Sequence, residues 1–160
     1  FIPSCDKGFR ACLDRGSLAL IGGGWKSFTG EAVSRSSLVN TLAYRLGLSD
    51  ENIIEGYSMT EINLLMLRCR HGRFHIPPMI EPVLMDAGLN PIKGEEDEGA
   101  FGFMDPLALD YPGFIVSGDQ VEMVKGECEC GLTGPAVTRI GRIPGSAIKG
   151  CGGIMGSVEG

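Results

Sequence analysis

A strand–helix–strand order near the start of the chain limits the fold more than any other feature. The apolar run at residues 17–21 (SLALI) ends in three glycines, which is typical of a buried strand entering a loop. Apolar residues then recur at near-helical spacing over residues 31–46, and Gly47 is a helix stop signal. Residues 52–58 (NIIEGYS) form the next predicted strand. This order predicts an α/β unit with a mostly parallel sheet.

The second half has the pattern of a β-rich unit. Five short strand candidates follow Pro77-Pro78, at residues 80–86, 99–104, 114–116, 120–124 and 136–140. Residues 61–68 fit either a helix or a strand, and the charged run 93–98 is predicted to be a solvated hairpin tip. We therefore predict an α/β segment over residues 1–76, a small antiparallel β-rich subdomain over 77–140, and a hinge and C-terminal tail over 141–160.

Charge and hydropathy exclude several classes of partner. The chain has 14 Lys+Arg against 20 Asp+Glu, a formal net charge of −6, and no long basic run. Such a surface repels nucleic-acid phosphates and anionic lipids, so we predict no nucleic-acid partner. The longest apolar stretches, 17–21 and 62–67, are too short to cross a bilayer. No secretory signal is recognisable, and because the chain begins at Phe1 we expect upstream residues to be missing.

Four of the six cysteines and histidines near them suggest a metal site. Without an export signal, a reduced, cytoplasmic set of cysteines is favoured over three disulfides. Thiolates and imidazoles are the ligands that zinc prefers, and Cys69, His75, Cys128 and Cys130 would complete a structural site. His71 is an alternative to His75. The other interpretation is buried free cysteines with two surface histidines.

Three further groups of residues have the chemistry of a nucleotide site. Tyr57, Thr60 and Glu61 end a predicted strand, where a hydroxyl beside a carboxylate suits phosphate and Mg²⁺, although an ordinary capped turn has the same pattern. Asp119 follows the apolar run 114–116, and a strand-end aspartate can accept both hydroxyls of a ribose. Arg142 offers a planar fork for a ribose or phosphate contact.

Cys151 is a candidate nucleophile near the C-terminus. Glycines surround it, and Lys149 lies two residues earlier, where its charge favours the reactive thiolate. The alternative is an idle cysteine on a loose tail.

The order of these motifs resembles the second half of the adenylate-forming (acyl-activating) enzyme superfamily. Within it, the texts GGGWK, YSMTE, CRHGRFHIPP and DPLALDYPGFIVSGD resemble the acyl-protein synthetases of bacterial bioluminescence, over roughly residues 17–151. The phenylacetate-CoA ligase branch is also similar in its Cys…His…Cys-x-Cys pattern. The resemblance implies the adenylate-forming fold, in an α/β class, and a long-chain fatty acid–protein ligase (an acid-thiol ligase).

The resemblance also implies roles for individual residues. Thr60 would contact the α-phosphate region and Glu61 the Mg²⁺ of bound ATP, while Ser58 replaces the glycine of the wider superfamily. Asp119 would hold the ribose, with Arg142 in the hinge-proximal Gly-Arg element. Cys151 would receive the acyl group as a thioester. Tyr57 belongs to the nucleotide motif. The glycine turn at the adenine and acyl pocket would be formed by Gly22, Gly23 and Gly24. A structural zinc cluster would be formed by Cys69, His75, Cys128 and Cys130.

The same resemblance implies partners, and this sequence departs from the superfamily pattern in two features. A fatty acid would be the substrate, and an acyl-reductase would receive the acyl group. The superfamily's Ser/Thr/Gly-rich phosphate loop does not precede Gly22, and the C-terminal lid with its catalytic lysine is also missing. We therefore expect the N-terminal portion of the same enzyme to be needed, and this segment alone to be inactive. Two other hypotheses remain, a carboxylate-CoA ligase and a non-catalytic zinc-stabilised interaction module.

Overall fold

The computed structural model describes residues 8–22, 33–94, 96–109 and 113–143, which form two sheets and one α-helix. The first sheet has the strand order β1-β2-β3, and the second has the order β4-β8-β7-β6-β5. The described part of the chain is therefore a mixed, sheet-rich α/β arrangement.

The first sheet contains the predicted strand–helix–strand unit. Strand β1 (Ala19–Gly22) lies parallel to β2 (Ile53–Tyr57), and helix α1 (Arg35–Leu46) connects them. The side chain of Ser34 caps the helix by accepting a hydrogen bond from the Ser37 amide, and Gly47 follows as the predicted stop.

The expectation of a mostly parallel sheet was wrong. Strand β3 (Met66–Leu67) runs antiparallel to β2, so β1–β2 is the one parallel pair among the strands described here. Of the ambiguous segment 61–68, only these two residues belong to a strand; Arg68 forms an isolated bridge with Phe74, and residues 61–65 are turn, bend and irregular backbone with no helix.

The second sheet is antiparallel throughout, as predicted for the β-rich half. Its strands are β4 (Phe74–His75), β5 (Glu81–Met85), β6 (Glu96–Met104), β7 (Phe114–Val124) and β8 (Ala136–Arg142). All the pairings in this sheet are antiparallel. The charged run 93–98 is not a hairpin tip throughout, because β6 already begins at residue 96.

Two predicted strands, 114–116 and 120–124, are one continuous strand. Strand β7 pairs with β6 on one side and β8 on the other, and Ser117-Gly118 lie inside it as an irregularity of the β6–β7 register, between the pairs Gly102–Val116 and Ala100–Gln120, rather than as a turn. Asp119 therefore lies in the middle of a strand, not at a strand end as expected. This placement puts its carboxylate among inward-facing side chains.

The main core lies between the two sheets. Ile62 and Met66, from the first sheet and its β2–β3 connection, pack against fully buried residues of the second sheet: Phe101, Phe103, Val121 and Val137. Burying aromatic and aliphatic side chains of this size is the main force that holds such layers together. The two sheets therefore share one core, and the division at residue 76 stays a prediction.

Candidate functional site

A hydrogen-bonded group of Tyr57, Asp119 and Arg142 joins the two sheets. The Tyr57 hydroxyl donates to Asp119 Oδ2 at 2.8 Å, and Arg142 Nη1 lies 3.1 Å from Asp119 Oδ1. Asp119 is 7% exposed, so its charge is held by these partners rather than by bulk water. Three residues predicted from separate motifs thus meet in one place.

Strand register explains why these three residues meet. Asp119 is directly opposite Arg142 in the β7–β8 pair, and alternate residues of β7 are buried, so its carboxylate turns toward the core side. Tyr57 is the last residue of β2. Its ring packs against Phe74 and Phe101 with centroids 6.2 Å apart in each case, which fixes the direction of the hydroxyl.

Burial raises the pKa of the Tyr57 hydroxyl far above its ordinary value, and the negative charge of Asp119 and the hydrogen bond to it act in the same direction. Tyr57 is therefore a neutral donor across the physiological pH range. Asp119 still has acceptor capacity, because each carboxylate oxygen can accept two hydrogen bonds. The group therefore places a neutral donor and a cationic donor around a carboxylate that can accept further hydrogen bonds.

The turn that carries Thr60 and Glu61 directly follows Tyr57. Both residues are exposed, and the Ile62 amide closes the turn by donating to the Met59 carbonyl at 3.2 Å. Thr60 and Glu61 therefore lie in the chain segment next to Tyr57, and their polar side chains are exposed to solvent.

The predicted glycine turn is only partly described. Gly22 ends β1 and pairs with Gly56, the neighbour of Tyr57, so it lies at the same edge of the first sheet. Gly23, Gly24, Lys149 and Cys151 lie outside the described residues.

Cys69, His75, Cys128 and Cys130 form a second group, in which all four ligand atoms lie within 4.8 Å of one another. The Cys69 and Cys128 sulfurs are 3.9 Å apart, and Cys130 Sγ is 3.2 Å from His75 Nε2. Zinc–sulfur bonds of ~2.3 Å at tetrahedral angles put two sulfurs about 3.8 Å apart. Three sulfurs and one imidazole at these separations fit a zinc ion.

Two matching turns present the cysteines of this group. In the first turn the Cys69 amide donates to the Arg73 carbonyl, and the Gly72 amide donates to the Cys69 carbonyl. In the second turn the Cys128 amide donates to the Leu132 carbonyl, and the Gly131 amide donates to the Cys128 carbonyl. Gly72 and Gly131 have φ values of 84° and 89°, a conformation that other residues rarely adopt.

Electrostatics act in different directions on the ligands of this group. Burial alone would raise the pKa of Cys69, but hydrogen bonds from the Arg73 and His71 backbone outweigh it and lower that pKa. Burial and the charge of Arg73 lower the pKa of His75, which favours the neutral, ligating imidazole. A hydrogen bond from the Cys130 backbone acts to lower the pKa of Cys128. Burial and the neighbouring thiols of Cys130 and Cys69 outweigh it, so the pKa of Cys128 is raised.

The choice between His71 and His75 follows from their positions. His75 lies in β4 within the group, whereas His71 Nδ1 lies 3.4 Å from the exposed carboxylate of Glu129. The geometry favours His75 as the fourth ligand. The cysteines within the described residues, Cys12 included, are free thiols, as expected of a reduced set.

Two polar residues important to the site were missed at the sequence level. Asp105, 5% exposed, accepts hydrogen bonds from the Asn63 and Leu107 amides at 2.8 Å each. Glu55 in β2 accepts from Arg35 at 2.8 Å and from Arg68 at 3.3 Å, so it links α1 to the strand end beside β3. Only the D-P-L start of the 105–109 turn offered a signal for Asp105.

Two cavities lined by described residues lie away from this group. One of about 510 Å³ lies along α1, lined by polar residues such as Ser37 and Arg45. Another of about 400 Å³ lies beside Met79, Met104 and Asp105. Neither is lined by Tyr57, Asp119 or Arg142. Asp119 and Arg142 contact each other, and Thr60 follows Tyr57 by three residues, so a nucleotide pocket shared by residues 60, 119 and 142 stays a prediction. Within the described residues, neither α1 nor the short 3-10 helix Asp50–Asn52 has the length and apolar character needed to cross a membrane.

Comparison with known proteins identifies the family of this chain. The family model described as acyl-protein synthetase, LuxE, matches residues 2–158. The chain therefore belongs to the acyl-protein synthetase (LuxE) family. It is also 27% identical over 134 residues to a long-chain-fatty-acid–luciferin-component ligase of Vibrio harveyi, a match that covers 82% of this chain and 35% of that protein. The chain thus spans about a third of the length of this relative.

Proposed function

We propose that the chain is the C-terminal part of an ATP-dependent acyl-protein synthetase, which activates a fatty acid as an acyl-adenylate and transfers it to the Cys151 thiol. The observation that carries the proposal is the contact group of Tyr57, Asp119 and Arg142 beside the turn bearing Thr60 and Glu61. Family membership and the name of the Vibrio relative support the same chemistry.

In the first step, a fatty carboxylate oxygen attacks the α-phosphorus of ATP. The bond from that phosphorus to the bridging oxygen breaks, and pyrophosphate leaves. Asp119 and Arg142 hold the ribose, and Thr60 donates to the α-phosphate region. Glu61 is an exposed carboxylate, which fits Mg²⁺ because this ion binds through one or two carboxylates together with nucleotide phosphates. When bound, Mg²⁺ offsets the phosphate charge.

In the second step, the Cys151 thiolate attacks the acyl carbonyl carbon. The bond between that carbon and the phosphate oxygen breaks, AMP leaves, and a thioester remains on the protein. An acyl-reductase is the proposed recipient of the acyl group. The nucleotide turn would be completed by Gly22, Gly23 and Gly24.

We propose zinc as the ion held by Cys69, His75, Cys128 and Cys130. Its role is structural, because four protein ligands leave no open coordination position for a substrate. The ligands come from the β3–β4 turn, from β4 and from the β7–β8 turn. A bound ion would therefore fasten the end of the first sheet to the second.

The complete enzyme that we propose is a cytoplasmic protein with the adenylate-forming fold, longer than this chain. The segments 1–76, 77–140 and 141–160 would be its α/β part, β-rich subdomain and hinge with tail. The relative's greater length supports a further N-terminal portion that supplies the phosphate loop. Without that portion we expect the 160-residue segment to be inactive.

Labelling distinguishes this function from its alternatives. The complete protein is incubated with a labelled fatty acid and ATP but no CoA. The proposal predicts a protein-bound label that hydroxylamine releases and that Cys151→Ser abolishes, while the matched variant Cys12→Ser retains it. Label transfer that requires CoA would instead identify a carboxylate-CoA ligase of the phenylacetate type. Absence of any ATP-dependent activation would favour a non-catalytic zinc module.

A further inference from the structure

A buried aspartate to which the sequence assigned no role holds the far end of the turn that carries Thr60 and Glu61. Asp105 follows β6 in the second sheet, and its Oδ2 accepts the backbone N–H of Asn63 at 2.8 Å. Its other oxygen accepts the Leu107 amide at 2.8 Å, which fixes the direction of the carboxylate. With 5% of its surface exposed, Asp105 makes these bonds where water competes little.

The near end of the same turn is held by another aspartate of the second sheet. Tyr57, just before the turn, donates to Asp119, and Asn63, just after it, donates to Asp105. Ile62, between them, is 4% exposed and packs in the main core. Thr60 and Glu61 are thus the exposed tip of a short segment whose two ends are fastened to the opposite sheet.

We infer that Asp105 is a positioning residue, which orders the turn so that Glu61 and Thr60 meet the metal and phosphate of the nucleotide. This inference rests on the proposed function. Carboxylate-to-amide bonds of this kind are charge-assisted and stronger than neutral ones. Small displacements of a group that contacts the reacting atoms lower rates steeply. Asp105 itself touches neither substrate nor metal.

The first test measures the turn directly, by amide hydrogen exchange in the complete protein. Asp105→Ala removes both acceptors, and we expect the Asn63 amide to exchange about tenfold faster or more. Asp105→Asn keeps one acceptor oxygen and should give a smaller increase, which preserves the test if the alanine variant does not fold. The matched control is Asp86→Ala. Asp86 also accepts two backbone amides, from Gly88 and Asn90 at 2.8 Å, but in the β5–β6 loop.

The second test measures ATP–pyrophosphate exchange as a function of Mg²⁺ concentration. We expect Asp105→Asn to raise the Mg²⁺ concentration for half-maximal rate severalfold, with Glu61→Gln raising it further and Asp86→Ala leaving it unchanged. A loss of stability alone would not shift this concentration. If Glu61→Gln has no effect, the proposed Mg²⁺ role itself fails. If Glu61→Gln shifts the requirement but Asp105→Asn does not, or if Asn63 exchange is unchanged in Asp105→Ala, the positioning role is wrong.

Discussion

Removing the Tyr57 hydroxyl isolates the contact that joins the two sheets. Tyr57→Phe keeps the ring between Phe74 and Phe101 but deletes the donor 2.8 Å from Asp119 Oδ2. A hydrogen bond to a charged group contributes about 1.5–3 kcal/mol. For a chain of this size each kcal/mol corresponds to about 2–4 °C in melting temperature, so we expect a decrease of about 3–12 °C.

The matched control is Tyr44→Phe, on the exposed side of α1. Tyr44 is 58% exposed, and its hydroxyl removal should change the free energy of unfolding by no more than about 0.5 kcal/mol. Thermal denaturation of both variants, followed by circular dichroism, gives the comparison. Equal melting temperatures for Tyr57→Phe and Tyr44→Phe would refute the view that the Tyr57–Asp119 bond fastens the sheets.

The pH dependence of the same variant gives an independent check. Burial and Asp119 raise the pKa of Tyr57 in the folded state above the unfolded value of about 10. Below pH 10 both states keep the proton, and the stabilisation is fully present. As the pH rises above 10, the unfolded chain loses its proton first, so wild-type protein is destabilised relative to Tyr57→Phe. A constant difference between the two proteins from pH 8 to pH 11 would contradict this assignment.

Other predictions concern the metal group and the core. Elemental analysis of protein purified without chelator should give about one zinc per chain. Cys128→Ser should lower both the zinc content and the melting temperature. The control variant Cys12→Ser, at an exposed cysteine, should change neither. Absence of zinc would exclude the metal site. Phe101→Ala, at a fully buried position, should cost about 3–5 kcal/mol in urea denaturation. Phe114→Ala, 44% exposed, should cost less than half as much; equal costs would contradict the location of the core.

Local sequence signals predicted the strands β1 and β2 of the first sheet and the helix α1 between them. The β1–α1–β2 unit follows from helical spacing and the stop at Gly47, both within a short stretch. The direction of β3 was not predictable, because a strand of two residues has no periodicity and its pairing depends on β2.

Asp119 shows why local signals failed in the second sheet. Ser117-Gly118-Asp119 has the composition of a turn, yet β7 continues past it because the pairing with β6 resumes at Gln120 after a local register shift and the pairing with β8 begins at Asp119. The residue type still identified a functional candidate, although its predicted position at a strand end was wrong. The bond from Asp105 to Asn63 spans 42 positions and ends on a backbone amide, so no residue pattern reveals it.

The choice of His75 over His71 likewise depends on tertiary structure. Both histidines lie in one short segment, and only the pairing of β4 with β8 brings one of them to the Cys128 turn. The ligand types were predictable from the sequence, whereas the fourth ligand was not.

ATP–pyrophosphate exchange in Asp119→Asn tests the central claim most directly, with Glu122→Gln as the control from the same strand. Glu122 pairs with Arg139 on the solvent side, away from the Tyr57 group. If Asp119 holds the nucleotide, fatty-acid-dependent exchange in the complete protein falls at least tenfold in Asp119→Asn and persists in Glu122→Gln, with both variants folded. Exchange at the wild-type rate in Asp119→Asn would show that the nucleotide binds elsewhere.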